Sequence, residues 1–139
     1  MRIKMILLSL LSIVIVAISW LMNFGLVRLF CTLILIPFVH AVIVFAICAV
    51  ASNYVIKKKI RVHNFLFQLT YILSNVFFPD ADDLDSRMFF GLIENDFMCN
   101  LGIVISVILL IVHIVLLISQ IIEINRTDKA EMFFEAINK

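Results

Sequence analysis

Four apolar segments dominate the pattern of hydrophobic and polar positions along the chain. They lie at residues 5–24, 30–52, 60–79 and 101–122, with short polar stretches between them. A helix needs about 20 mostly apolar residues to cross the ~30 Å hydrocarbon core of a bilayer. The pattern therefore predicts an all-α integral membrane protein, a single-domain four-transmembrane-helix bundle.

The composition agrees with a membrane location. The 139 residues are 64% hydrophobic and 15% charged, whereas a soluble domain is about half apolar and a quarter charged. The net charge is +1, and no basic stripe is interleaved with aromatic residues, so no nucleic-acid partner is predicted. The abundance of Ile, Phe, Asn and Lys is typical of an AT-rich gene, and we expect a multi-pass protein of a bacterial cell inner (plasma) membrane.

The first segment has two interpretations. It follows Arg2 and Lys4 as a signal peptide does, and Ala17-Ile18-Ser19 resembles a cleavage site. The apolar run nevertheless continues through Trp20 and Met22, which is long enough to span a membrane. An uncleaved first helix is the favoured interpretation.

The third segment is the most polar of the four, and its polar residues are regularly spaced. Their positions follow i, i+4, i+7 and i+11, which places them on one face of a helix. Such a face is expected to contact other helices and not lipid. The residues of this face are Asn64, Gln68, Tyr71 and Asn75.

Two local signals shape the remaining helices. Pro37 removes the N–H that would bond the carbonyl of Leu33, which predicts a kink in the second helix. Residues 123–139 form a short amphipathic C-terminal tail, in which Asp128 and Glu131 can cap a separate helix that lies along the membrane surface.

The distribution of Lys and Arg predicts the orientation. With both termini cytoplasmic (N-in/C-in), nine basic residues lie inside and only Arg28 and Arg87 outside, as the positive-inside rule requires. The densest basic cluster is interpreted as topogenic, with binding of anionic lipid headgroups as the alternative. This cluster consists of Lys57, Lys58, Lys59 and Arg61.

A polar cluster is predicted near the middle of the membrane. His40 and His113 lie near the centres of the second and fourth segments, and Gln68 and Tyr71 reach a similar depth. Ionisable residues at this depth suggest a functional site, such as a proton relay or a metal site. The alternative is that the histidines only hold helices together by hydrogen bonds. No carboxylate lies within a segment, which argues against a small multidrug exporter.

The cysteines provide no metal motif. Cys31, Cys48 and Cys99 form no CxxC pair and show no His/Cys ligand spacing. Cys31 and Cys99 both map to the predicted outer boundary, where a disulfide is conceivable but not implied, and Cys48 is interpreted as a core residue.

Residues 80–100 form a predicted outer loop with six acidic residues against Arg87, a local net charge of −5. An EF-hand register fails, because Leu84, Asp85 and Gly91 occupy positions that need a ligand, a glycine and a glutamate. No metal site is predicted. The loop is interpreted either as a docking site for a cationic partner or as a solvated loop with aromatic membrane anchors. The candidate docking residues are Asp80, Asp82, Asp83, Asp85, Phe89 and Phe90.

No catalytic constellation is present in the sequence, and no cofactor or enzymatic activity is predicted. The leading hypothesis is a non-enzymatic membrane protein that binds another membrane or periplasmic protein. In size and plan the chain is comparable to immunity proteins, superinfection-exclusion proteins and accessory subunits of membrane complexes. The alternative is a proton- or ion-translocating helper. Homo-oligomerisation is compatible with the exposed helix surface, although no small-xxx-small seam predicts a state.

Overall fold

The computed structural model of the protein describes residues 2–23, 25–54, 58–81, 86–87, 89–90, 92–93 and 95–137. Five α-helices account for most of these residues. In chain order the elements are α1 (Arg2–Met22), α2 (Leu26–Leu33), α3 (Ile36–Ala51), a 3₁₀ turn (Ser52–Tyr54), α4 (Lys58–Val76), β1 (Asp80–Ala81), β2 (Ser86–Arg87) and α5 (Asp96–Ile137).

Three of the described helical segments are long and apolar enough to cross a membrane: Ile3–Met22, Ile36–Tyr54 and Asp96–Thr127. Most of their large apolar side chains are exposed on the outside of the bundle. An apolar surface of this extent is too large for a soluble monomer. The all-helical class and the membrane character predicted from the sequence are therefore confirmed.

The α4 helix packs against α1, α3 and α5 and is the most enclosed helix of the bundle. Its polar face points inward as predicted, because Asn64, Gln68 and Tyr71 are buried and Asn75 is half-buried. Phe67 and Tyr71 join Val16, Val44 and Cys48 in the main apolar core.

The predicted second helix is interrupted. Residues 30–52 do not form one kinked helix, because the chain turns at Ile34 and Leu35 between α2 and α3. Leu35 adopts a left-handed conformation (φ 60°), and Pro37 lies in the first turn of α3, where its missing N–H is tolerated. The interruption therefore precedes the proline and is not a kink around it.

The last helix is longer than predicted. It begins at Asp96 instead of residue 101 and continues without interruption to Ile137. No helix begins at Asp128, so the predicted separate capped tail is wrong. Forty-two residues give a helix about 63 Å long, roughly twice the hydrocarbon thickness. The preceding loop is correspondingly shorter and contains the antiparallel pair β1–β2.

Candidate functional site

A column of buried polar side chains runs along the inside of the bundle. Three helices contribute to it, and each presents its polar residues at intervals of about one or two turns. The polar column consists of Ser9, Ser12 and Ser19 on α1 with Asn23 directly after it, of Asn64, Gln68, Tyr71 and the half-buried Asn75 on α4, and of Ser106, His113, Gln120 and Thr127 on α5.

The histidines of the predicted cluster meet in this column. His40 Nε2 lies 3.0 Å from His113 Nε2. The ring of Tyr71 packs edge-on against His40 with centroids 5.0 Å apart, and Phe67 stacks on His113 at 4.5 Å. The structure therefore brings together three of the four predicted residues of the cluster, and each histidine ring packs against an aromatic side chain.

The hydrogen bonds define which ring nitrogens carry hydrogen. His113 Nδ1 lies 3.2 Å from the carbonyl oxygen of Phe67, which can only accept. A neutral His113 therefore holds its hydrogen on Nδ1 and offers a lone pair at Nε2. We infer that His40 donates from Nε2 to this lone pair. The hydroxyl oxygen of Thr70 also lies near this nitrogen, 3.5 Å from His113 Nδ1.

The fourth predicted residue, Gln68, belongs to a neighbouring cluster. Its Nε2 donates to the thiol of Cys48, and this thiol donates to Asn64 Oδ1 at 2.9 Å. Cys48 is thus a buried core residue as predicted, but it also links α3 to α4 through polar contacts. Cys31, Cys48 and Cys99 are all free thiols.

The two histidines lie at different positions along their helices, since His113 stacks on Phe67 at the middle of α4, whereas His40 lies near the start of α3. His40 is the fifth residue of the apolar segment Ile36–Tyr54, because the turn at Ile34 and Leu35 divides the predicted span of residues 30–52. Counted along α5, His113 lies about 15 Å from Glu123. Counted along α4, Tyr71 lies only about 7.5 Å from Val76. The end at Val76 is called the loop end below.

Arg28 closes the loop end, and the sequence alone did not mark it as a core residue. Its side chain is 0% exposed and donates to the carbonyl oxygens of Ser19 (2.5 Å), Asn75 (3.1 Å) and Phe78 (2.5 Å). The guanidinium also lies 5.3 Å from the ring centre of Trp20. Trp20 Nε1 donates to Asn75 Oδ1 at 2.9 Å, so α1, α2 and α4 are joined here.

A cavity of about 180 Å³ lies between this end and the histidine pair. Arg28, Asn75, Ser106 and His40 line it together with Pro37 beside the helix interruption. A space of this size holds several water molecules, since one water needs about 30 Å³. His40 therefore faces a space that begins at the loop end.

The opposite end contains an ion pair between α4 and α5. Lys59 Nζ lies 2.6 Å from Glu123 Oε2. The first turn of α4 holds Lys58, Lys59 and Arg61 but no acidic residue, which is unfavourable for the helix dipole. Glu123 offsets part of this charge. Lys57, the remaining member of the predicted basic cluster, lies outside the described residues.

The candidate docking loop is described only in part. Asp82, Asp83 and Asp85 lie outside the described residues, and the backbone of Asp80 belongs to β1. Phe89 and Phe90 both have positive φ angles, and the Phe89 N–H donates to Val76 O at 3.3 Å. The Phe77 and Phe89 ring centres are 5.8 Å apart, so the loop folds back onto the end of α4.

Two signals in the sequence pointed to features that the prediction missed. Ser106, His113, Gln120 and Thr127 recur every seven residues on an otherwise apolar helix, and this spacing marks one face. Arg28 is the one charged residue between the first two predicted spans. Comparison with protein families, curated proteins and solved structures finds no match to this chain.

Proposed function

We propose that this protein is a non-enzymatic, four-span membrane protein that moves protons through the His40–His113 pair. The observation that carries the proposal is the 3.0 Å contact between the two Nε2 atoms inside a polar column. In this proposal α4 is the fourth span, with its polar face covered by the other three and an apolar face that includes Phe65 exposed to lipid, and both termini lie on the cytoplasmic side of a bacterial inner membrane.

The proposed transfer uses atoms that already lie close together. A proton arriving from the cavity binds His40 at Nδ1, and the Nε2 proton of His40 crosses to Nε2 of His113. His113 then releases its Nδ1 proton to the hydroxyl oxygen of Thr70, 3.5 Å away, while the hydroxyl proton of Thr70 passes to a water molecule of the internal path. Rotation of the two rings restores the original tautomers. Histidine suits this role because its ordinary pKa is close to neutral pH.

The proposal is tested by proton flux into liposomes that contain the purified protein and a pH-sensitive dye. We expect His40→Phe and His113→Phe each to reduce the proton flux at least tenfold. The double variant is expected to reduce the flux no further than either single variant. His63→Phe is the matched control, because His63 lies outside the pair and its ring contacts the Lys59 carbonyl of its own helix. Traces that are indistinguishable between wild type and the double variant would remove the proposal.

A second measurement, of the histidine tautomers, distinguishes a proton relay from a purely structural role. The chain has three histidines, so ¹⁵N-histidine NMR in bilayers resolves His40, His113 and the reference His63. A relay requires the neutral tautomers inferred above and their exchange when the pH falls. Fixed tautomers across the range in which flux occurs would assign the pair to packing alone.

A second candidate function is the binding of a cationic partner protein at the loop after α4. Two consecutive phenylalanines at positive φ support it, because non-glycine residues rarely adopt this conformation and such strain is often found at functional sites. The test replaces Asp80, Asp82, Asp83 and Asp85 together by Asn and measures partner capture or protection at low salt. Unchanged capture would contradict docking through the acidic loop.

A further inference from the structure

Gln120 is one of two amides in the polar column, with Asn23, whose nitrogen and oxygen both lack a hydrogen-bond partner among the described residues. It is 0% exposed, and neither its Oε1 nor its Nε2 has a hydrogen-bond partner among the described residues. Gln68 is 1% exposed, and its Oε1 also lacks a partner there. An amide without hydrogen bonds in an apolar interior is strongly unfavourable, and buried waters commonly satisfy such groups.

The register of α4 and α5 places Gln120 between two clusters already described. The two helices run antiparallel, with Phe67 stacked on His113 and Lys59 paired with Glu123. Gln120 lies seven residues from His113 and three from Glu123, about 10 Å and about 5 Å along the helix. On α4 this corresponds to the level between Lys59 and Asn64.

We propose that Gln68, at the level of His113, and Gln120, closer to Glu123, each bind internal water, and that these two hydration sites continue the proton path from His113 to the Lys59–Glu123 ion pair. Water is the ligand that fits, because each amide needs both a donor and an acceptor, and the described part of the chain contains no group of three or more His, Cys, Asp or Glu side chains that could hold a metal ion. The hydration follows from the unpartnered amides themselves, whereas its role in the path rests on the proposed function.

The sequence makes the hydration directly measurable. Gln68 and Gln120 are its only glutamines, so side-chain ¹⁵N-glutamine labelling yields two amide signals. In bilayers, we expect the transfer of magnetisation from water protons to the two glutamine side-chain amides to be as fast as the transfer to solvent-exposed groups of the protein. Gln120→Met assigns the signals. If the Gln120 signal rises as slowly as the backbone amides of the apolar part of α5, the hydration site at Gln120 does not exist.

The role in the path is tested separately by proton flux in liposomes. Gln120→Met keeps the length of the side chain but removes the amide, and we expect a fall in flux of at least tenfold. Asn125→Met is the matched control, since it removes an exposed amide from the same helix. Unchanged flux in Gln120→Met, with flux present in wild type, would overturn the path. A wild type without flux would instead overturn the proposed function, and the NMR result would still decide the hydration.

Discussion

Arg28 places a guanidinium where two helices end. The Asn75 carbonyl cannot accept from the residue four positions later, because that residue is Pro79 and has no N–H. The Arg28 side chain donates to this carbonyl and to that of Phe78, at the negative end of the α4 dipole. A buried cation is thus placed where it satisfies otherwise incomplete backbone groups.

Replacing Arg28 tests this role at the residue scale. We expect Arg28→Met to lower the free energy of unfolding by about 3 kcal/mol, because hydrogen bonds to charged groups contribute about 1.5–3 kcal/mol each. Arg126→Met, on an exposed part of α5, is expected to change it by less than about 0.5 kcal/mol. Unfolding by SDS in mixed micelles measures both, and equal losses would contradict the capping role.

For single residues, the sequence correctly predicted the burial of polar side chains that would be unfavourable in contact with lipid. Asn64, Gln68 and Tyr71 share a face by their spacing, and a polar face must be enclosed in a membrane protein. Arg28 was counted only as an outer charge, because the sequence does not show that the chain after Met22 turns back over the bundle. Spacing alone also did not reveal that Gln68 would bond Cys48 and not a histidine.

At the scale of elements, the interruption between α2 and α3 separates two helices that the hydrophobic pattern reads as one. Apolar residues continue through Ile34 and Leu35, so hydropathy contains no signal of the break. The left-handed conformation of Leu35 allows the turn. The turn lets α2 place Arg28 over the loop end, while α3 carries His40 toward His113.

The strain at Leu35 leads to a prediction with an internal control. Glycine adopts positive φ without the steric penalty of a Cβ atom, which amounts to about 1 kcal/mol. We therefore expect Leu35→Gly to be more stable than Leu35→Ala by about this amount. At Leu29, within α2, the order is expected to reverse, because glycine is about 1 kcal/mol worse than alanine in a helix. Unfolding by SDS measures the stability of the four variants. If the glycine and alanine variants had the same order of stability at both positions, backbone strain at Leu35 would be contradicted.

At the scale of the whole molecule, three apolar helices pack around the polar face of a fourth. This fourth helix, α4, is the most polar of the predicted spans, and its 19 residues are about 28 Å long. Its polar face is buried by α1, α3 and α5, so lipid contacts mainly the surrounding helices. In the proposed four-span arrangement, the fourth crossing depends on burial of this polar face in the bundle and not on the hydropathy of α4 alone.

Reporter fusions test the proposed four crossings. Alkaline phosphatase requires export to be active, so we expect activity in a fusion after Asp83 and none in fusions after Lys58 or Lys139. A green fluorescent reporter at the same positions is the reciprocal control, fluorescent only at Lys58 and Lys139. An exported C-terminus would show that α4 does not cross the membrane and would invalidate the four-span arrangement.

The sequence by itself determined the membrane class, the approximate helices and the inward face of α4, because each follows from the cost of placing polar groups in lipid. It also brought His40, Tyr71 and His113 to similar depths through helix geometry. Only the tertiary structure decided the 3.0 Å histidine contact, the enclosure of Arg28 and the unpartnered amide of Gln120. These depend on helix rotation, register and the path of the turn at Leu35, which are set by packing between segments distant in the chain.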